Sequence, residues 1–361
     1  MLQNKTVYGI GLMSGSSLDG LDICYVKFEQ QKSSIYYTIL QATCIAYNKQ
    51  QTEKLCKAAQ LTAFEFAALH TEMGKFFGSL THQFIQQHQI EKLDFIASHG
   101  QTIFHQVAAG FTTQIGCGAQ IAAQTGHKVV CDLRTADVAY GGQGAPIVPI
   151  AEKYLFPDFS FFLNIGGIAN IAIHNKEKTT IHAYDICAGN TMLNYLAKQK
   201  NLDFDDNGNL ARNGKVINEL LEKLNAIPFC KQAAPKSLGT EHIYETWIPL
   251  FDECDSTIED KLATAVEHIA MQVGKEINNL IPHHNSSLFI TGGGALNTYL
   301  IERIQQHTTY KTIVPDMLTV QYKEALAMAF FGLLRIIEQP NCLASVTGAQ
   351  KNVIGGAVYL P

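Results

Sequence analysis

The sequence predicts an α/β protein built from two related halves. Three stretches carry that prediction. Thr6–Phe28 reads as an apolar run, a polar glycine turn and a second apolar run. Phe161–Ile173 repeats the order strand, glycine turn, strand. Leu288–Asn297 runs as a strand through Gly292-Gly293-Gly294 toward a helix. A chain of 361 residues has room for about two domains.

In the first hairpin the turn is Ser14-Gly15-Ser16-Ser17-Leu18-Asp19-Gly20. Gly15 and Gly20 are expected to take positive φ and let backbone approach a ligand. Successive N–H groups and three serine hydroxyls facing one anion suit a phosphate. Asp19 and Asp22 are placed to hold a metal that bridges phosphate oxygens. An ordinary solvated hairpin tip remains the alternative.

Ser33–Tyr47 adds another β-rich stretch. A helix follows, because Leu69, Met73, Phe76, Phe77, Leu80 and Phe84 fall on one helical face. Thr62 and Glu65 have capping-box spacing at its start. That aromatic stripe reads as core. Leu93–Ala97 is a short strand, expected to open into a polar loop, Ser98-His99-Gly100-Gln101-Thr102. Ligands gather at such strand ends in α/β sheets. A hydrogen-bonded loop histidine is the plainer reading of His99.

A strand at Lys128–Cys131 leads to Asp132, Arg134 and Asp137. The guanidinium fork of Arg134 suits an anionic group, or a salt bridge to a neighbouring aspartate. Gly141-Gly142-Gln143-Gly144-Ala145-Pro146 forms an irregular wall or hinge. In the second half, strand Thr180–Tyr184 is expected to end at Asp185, just before a glycine turn and a helix. That is a suitable place for chemistry, or for a capping aspartate. Asp203–Gly214 and Ala234–Gly239 read as loops, and Glu259–Leu280 as a long amphipathic helix. Glu324 opens the last long helix, where a carboxylate can serve only as a dipole partner.

Composition excludes several classes. Apolar residues make up 47%, enough for a well-formed core. A net charge of -5 without a basic stripe argues against nucleic acid. The apolar run before Ser14 is too short and glycine-broken for a signal peptide or membrane span. Nine cysteines without C-x-x-C read as reduced, buried thiols of a cytoplasmic protein. Thirteen histidines show no H-E-x-x-H, so zinc hydrolysis has no support.

The two hairpins with the late strand–GGG–helix resemble the acetate and sugar kinase, actin and chaperone ATPase superfamily. A narrower resemblance lies in Met13-Ser14-Gly15-Ser16-Ser17-Leu18-Asp19-Gly20-Leu21-Asp22. This is similar to the M-S-G-T-S-x-D-G-x-D loop of anhydro-N-acetylmuramic acid kinases. His99–Thr102, Asp132–Arg134 with Asp137, Gly141–Pro146, Asn164–Asn170 and Thr291–Asn297 follow in the family's order.

The resemblance implies two similar actin-like (ribonuclease H-like) α/β domains with an ATP cleft between them. Their expected extents are 1–140, completed by 341–361, and 141–340. By the same resemblance Gly15, Ser16, Ser17, Leu18, Asp19, Gly20, Leu21 and Asp22 hold ATP phosphates. Asp19 and Asp22 hold Mg²⁺. Gly166, Gly167 and Asn170 of the second hairpin also face the nucleotide, and Gly292, Gly293 and Gly294 lie by its adenosine. His99, Gln101, Arg134, Asp137 and Glu324 surround the sugar, and Asp185 is the general base. Members of the family convert 1,6-anhydro-N-acetylmuramic acid, ATP and water to N-acetylmuramic acid 6-phosphate and ADP during cell-wall recycling. They are cytoplasmic and typically homodimers.

Three departures from the family pattern stand out. Ile186-Cys187-Ala188 stands where many members have T-G-P, Cys117 replaces an acidic residue, and Thr240 replaces an arginine. Two other readings stay open at this level: another sugar kinase of the superfamily, and a non-catalytic nucleotide-gated binding protein.

Overall fold

A computed structural model describes residues 6–15, 18–31, 34–175, 181–279 and 287–361. The chain divides into two compact units. One comprises Met1–Pro157 with Tyr322–Pro361, and the other Asp158–Gln321.

The first unit holds β1 (Thr6–Ser14), β2 (Gly20–Gln31), β3 (Ser34–Ala46), β4 (Phe95–Gln106), β5 (Phe111–Ile115) and β6 (Val129–Cys131). The second holds β7 (Phe161–Ile165), β8 (Ile168–His174), β9 (Ile181–Ala188), β10 (Ser287–Thr291) and β11 (Lys311–Ile313). A last strand, β12 (Ala357–Tyr359), returns to the first sheet.

The two sheets share one design. Along the first sheet the order is β12-β6-β4-β1-β2-β3, with β5 paired to β4. Along the second it is β11-β10-β7-β8-β9. In each, three antiparallel strands follow one another, and two parallel strands extend the sheet beyond the first of them. This repeated order bears out the α/β architecture of two similar actin-like domains.

Local sequence explains most elements. The helix Ala63–Gln87 starts at Thr62, which forms the expected capping box with Glu65. It buries Leu69, Met73, Phe77 and Phe84, while Phe76 and Leu80 are only partly covered. Helix Ile258–Asn278 is buried on most of its surface and forms the centre of the second core with Trp247, Phe251 and Phe161. Leu280 lies outside the described residues.

Unit boundaries differ from the expected 140 and 340. Residues 141–157 and 322–340 fall within the first unit. Packing explains this. Phe330 meets Phe28 and Tyr154, and Lys323 makes a buried ion pair with Glu152 at 2.9 Å. A side chain on Gly11 of β1 would collide with the Ala325 carbonyl, so the strand and the helix are in direct backbone contact. Helix Met317–Ile336 is broken at Tyr322, the residue where the chain re-enters the first unit.

All nine cysteines are unpaired. Cys24, Cys131, Cys187, Cys230 and Cys342 are buried, whereas Cys44 and Cys56 are exposed. No helix among the described residues is long and apolar enough to cross a membrane.

Candidate active site

The first hairpin turn is anchored from below. Ser14, at the end of β1, donates to Gln101 Oε1 at 2.5 Å and pairs with the Tyr47 hydroxyl at 2.6 Å. Gln101 therefore supports the turn through Ser14. The Tyr47 N–H reaches the Asp19 carbonyl at 3.1 Å, and Leu18 N–H closes the turn on Gly15 at 3.3 Å.

Leu18 takes the left-handed conformation, with φ 55°, while Gly20 does not. Gly20 is needed for a different reason. A Cβ there would lie 2.6 Å from the Ile45 carbonyl of β3. Leu21 is buried in the sheet as core, so of this loop only its backbone is offered to a ligand. Ser16 and Ser17 lie outside the described residues.

Three carboxylates gather beside this turn. Asp22 is pushed up to about 6, chiefly by burial, with Asp19 and Glu324 adding repulsion and a Cys44 hydrogen bond opposing it. Glu324 has an open face, yet protein atoms crowd its carboxyl group and raise its pKa; Lys323 and Arg134 oppose the rise. A cation would relieve such crowding. Mg²⁺ commonly uses one or two carboxylates together with phosphates and water. Among the described residues no three His, Cys, Asp or Glu side chains form a ready metal cage. The carboxylates of Asp19 and Asp22 are donors of the kind that could hold Mg²⁺ together with phosphate oxygens and water.

The expected loop at Ser98–Thr102 is strand instead. β4 continues to Gln106, with Gly100 in the left-handed region and a register shift farther along. Pairing with both β1 and β5 keeps it extended. His99 is buried there. Its Nδ1 lies 2.8 Å from the Gly100 carbonyl, and its Nε2 accepts from Arg134 Nε at 2.9 Å. Burial, then the Arg134 charge, pulls its pKa down to about 4, so the ring is neutral.

Arg134 pairs with neither neighbouring aspartate. Its Nη1 donates to the Gly144 carbonyl at 2.7 Å, and no hydrogen bond reaches Nη2 among the described residues. The Nε edge is occupied, so only the Nη end can meet an anion.

Asp137 does not face open space. It is fully buried and accepts from Gly144 N–H at 2.8 Å and Thr347 Oγ1 at 2.7 Å. It shapes the wall that Arg134 leans on, and it pins the glycine-rich segment inside the first unit.

In the second unit the β7–β8 turn is only Gly166-Gly167. Its carbonyls accept from Gly189, Asn190 and Thr191 at the start of helix Asn190–Lys198. The GGG segment divides its work. Gly292 has φ 82° and, with Gly294, packs against Ile165 too closely for a side chain. Gly293 instead lines a pocket of ≈ 340 Å³ with Asn190, Phe204, Asn207 and Leu296.

Asp185 lies within β9, opposite Asn170, next to a register shift. It neither ends the strand nor caps the following helix, whose cap is Gly189. Ile186 is the extra residue at that shift, and β9 stays paired to β8 as far as Ala188. One carboxylate oxygen, Oδ2, accepts from Leu238 N–H at 2.8 Å and Ser237 Oγ at 3.3 Å. No hydrogen bond reaches Oδ1 among the described residues. A carboxylate with one oxygen fixed and the other open has the form of a general base.

Sequence reasoning missed Tyr47, Cys44 and the Lys236–Leu238 holder of Asp185. Tyr47 closes a β-rich stretch and carries no motif. Leu238 acts through its backbone N–H, which residue type does not disclose.

A family model described as anhydro-N-acetylmuramic acid kinase matches residues 7–361. The anhydro-N-acetylmuramic acid kinase of Pasteurella multocida is 33% identical, over 99% of this chain and 98% of its own. That of Picosynechococcus sp. is 34% identical over 98% and 99%, and that of Legionella pneumophila (strain Paris) 33% over 97% and 97%. Similarity that runs almost from end to end, through both hairpins and both glycine loops, means that the chain belongs to the anhydro-N-acetylmuramic acid kinase family.

Proposed function

We propose that this protein opens 1,6-anhydro-N-acetylmuramic acid with water and phosphorylates it from ATP, giving N-acetylmuramic acid 6-phosphate and ADP in peptidoglycan recycling. Family membership over nearly the whole chain supports the kinase activity and the sugar. The single observation that carries the mechanism is Asp185, with Oδ2 tied down and Oδ1 open.

In this reading Asp185 Oδ1 takes a proton from water as the water oxygen bonds to the anomeric carbon. The bond from that carbon to O6 breaks, and O6 takes the γ-phosphoryl group. A positioned base typically contributes ~10²–10⁴ in rate. The Nη end of Arg134 receives the lactyl carboxylate. Neutral His99 accepts from Nε and fixes the plane of the guanidinium, while Gln101 keeps the phosphate turn in place through Ser14.

The backbone of Gly15 and of Leu18–Gly20 faces the phosphates, with Asp19 and Asp22 toward Mg²⁺, which supplies charge neutralisation when bound. The pocket at Gly293 suits adenosine, being concave and mixed in polarity. Asp137 supports the sugar site from behind. The assembly is a homodimer in the cytoplasm, as is usual for the family.

ADP release measured with and without the anhydro-sugar tests the function. Release should require the anhydro-sugar, and in ¹⁸O-water label should enter C1 of the product under rapid quenching. Efficient phosphorylation of ring-opened N-acetylmuramic acid with no label incorporated would establish an ordinary hydroxyl kinase instead. ADP and labelled inorganic phosphate without sugar would indicate a nucleotide-gated binding protein.

A further inference from the structure

The loop that holds Asp185 has its own anchor. Lys236 accepts Asp185 N–H through its carbonyl at 3.1 Å, and the next two residues supply the donors to Oδ2. The Lys236 side chain runs the other way, into the core, where it is 2% exposed. Its Nζ lies 3.1 Å from Glu276 Oε1 on helix Ile258–Asn278, and 3.5 Å from the Phe229 carbonyl. Glu276 Oε2 accepts from the Tyr184 hydroxyl at 3.1 Å. Tyr184 immediately precedes Asp185 on β9. One glutamate therefore grips the strand before the carboxylate and the loop that closes over it.

We propose that Lys236 and Glu276 are positioning residues for the base: their buried ion pair sets the loop that fixes Asp185 Oδ2 and leaves Oδ1 turned to water. This rests on the reading of Asp185 as the base. A buried ion pair seldom adds net stability over a well-packed apolar pair. Its contribution here is direction, because only a charge pair with defined donors holds the loop at one register. A displacement of about 1 Å at a reacting group can cost ~10²-fold in rate. The titratable neighbours on the elements packed around the pair are Tyr184, Cys187, Cys230 and Lys275, and burial pushes the first three upward.

The test uses four variants of the full chain. Lys236→Met leaves Glu276 without its charge partner and can fail to fold. Lys236→Met/Glu276→Leu removes both charges and keeps an apolar interior. In the double variant kcat should fall about 10- to 100-fold. KM for both substrates should stay within about twofold, and the acidic limb of the kcat profile should move to higher pH as Oδ2 loses donors. Asp185→Asn serves as the third variant, and adding the double substitution to it should cost little more, because both act on one group. Wild-type kcat and pH limb in a folded double variant, with Asp185→Asn inactive, would overturn the positioning role alone. An active Asp185→Asn would overturn the base assignment itself.

Discussion

The two hairpin turns occupy the same place in two sheets of the same order, yet they are built from different material. The β1–β2 turn is long and polar, braced by Ser14, Gln101 and Tyr47, and crowded by Asp19, Asp22 and Glu324. The β7–β8 turn is two glycines whose carbonyls cap the start of a helix, and carries no charge. One turn is built around charge, the other around backbone shape. Duplication of a scaffold fixes where a turn lies. Its residues decide whether it meets charge or fits against a surface.

The largest expected effect is on the charged turn. Asp19→Asn should lower turnover by ~10²-fold, about 2.7 kcal/mol of transition-state stabilisation. Binding of the sugar alone, followed by calorimetry, should hardly change. Unaltered kinetics would remove Asp19 from the metal site.

The glycine turn should respond in stability first. A Cβ on Gly167 would lie 2.8 Å from Thr191 Oγ1. Gly167→Ala should cost about 1–3 kcal/mol in denaturant unfolding, the usual range for overpacking. Adding Thr191→Ala should recover most of it. If the second change recovers nothing, the turn is limited by something other than that contact.

Arg134→Lys sharpens the contrast within the first unit. Lysine keeps the charge but loses the Nε–H that donates to His99 and orients the guanidinium. Turnover with the muramate sugar should fall about 10-fold, consistent with one charge-assisted hydrogen bond of ~1.5 kcal/mol. An anhydro-glucosamine analogue without the carboxylate should lose less. Equal losses would place Arg134 in a structural or phosphate role.

The smallest effect is a shared one. Each unit buries a neutral histidine: His99, lowered to about 4, and His268, lowered to about 3, both chiefly by burial. His268 is bonded to Asn225 and Trp247. Below pH 6.5 the unfolded chain takes protons that these folded rings refuse, so stability falls as pH drops from about 6.5 toward 4. Each ring contributes at most ~1.4 kcal/mol per pH unit. Urea midpoints at pH 7 and 5.5 measure the slope. His268→Gln should flatten it, and an unchanged slope would assign the loss to other groups.

The sequence by itself determined what short-range physics encodes. Alternating apolar runs around glycine turns made both hairpins legible, and Thr62 with Glu65 marked the start of the long helix. The family motifs pointed to Asp185 and Arg134, because those positions depend on residue type. Only the tertiary structure decided how each is held. Asp137 turned inward because Gly144 and a threonine 210 positions away offer it donors. Arg134 passed over two adjacent aspartates for His99, which lies on a neighbouring strand of the sheet. Asp185 is gripped by a backbone N–H 53 residues later. Spacing along a chain carries no record of such bonds, since their partners become neighbours only when sheets and helices have packed and every buried donor must find an acceptor.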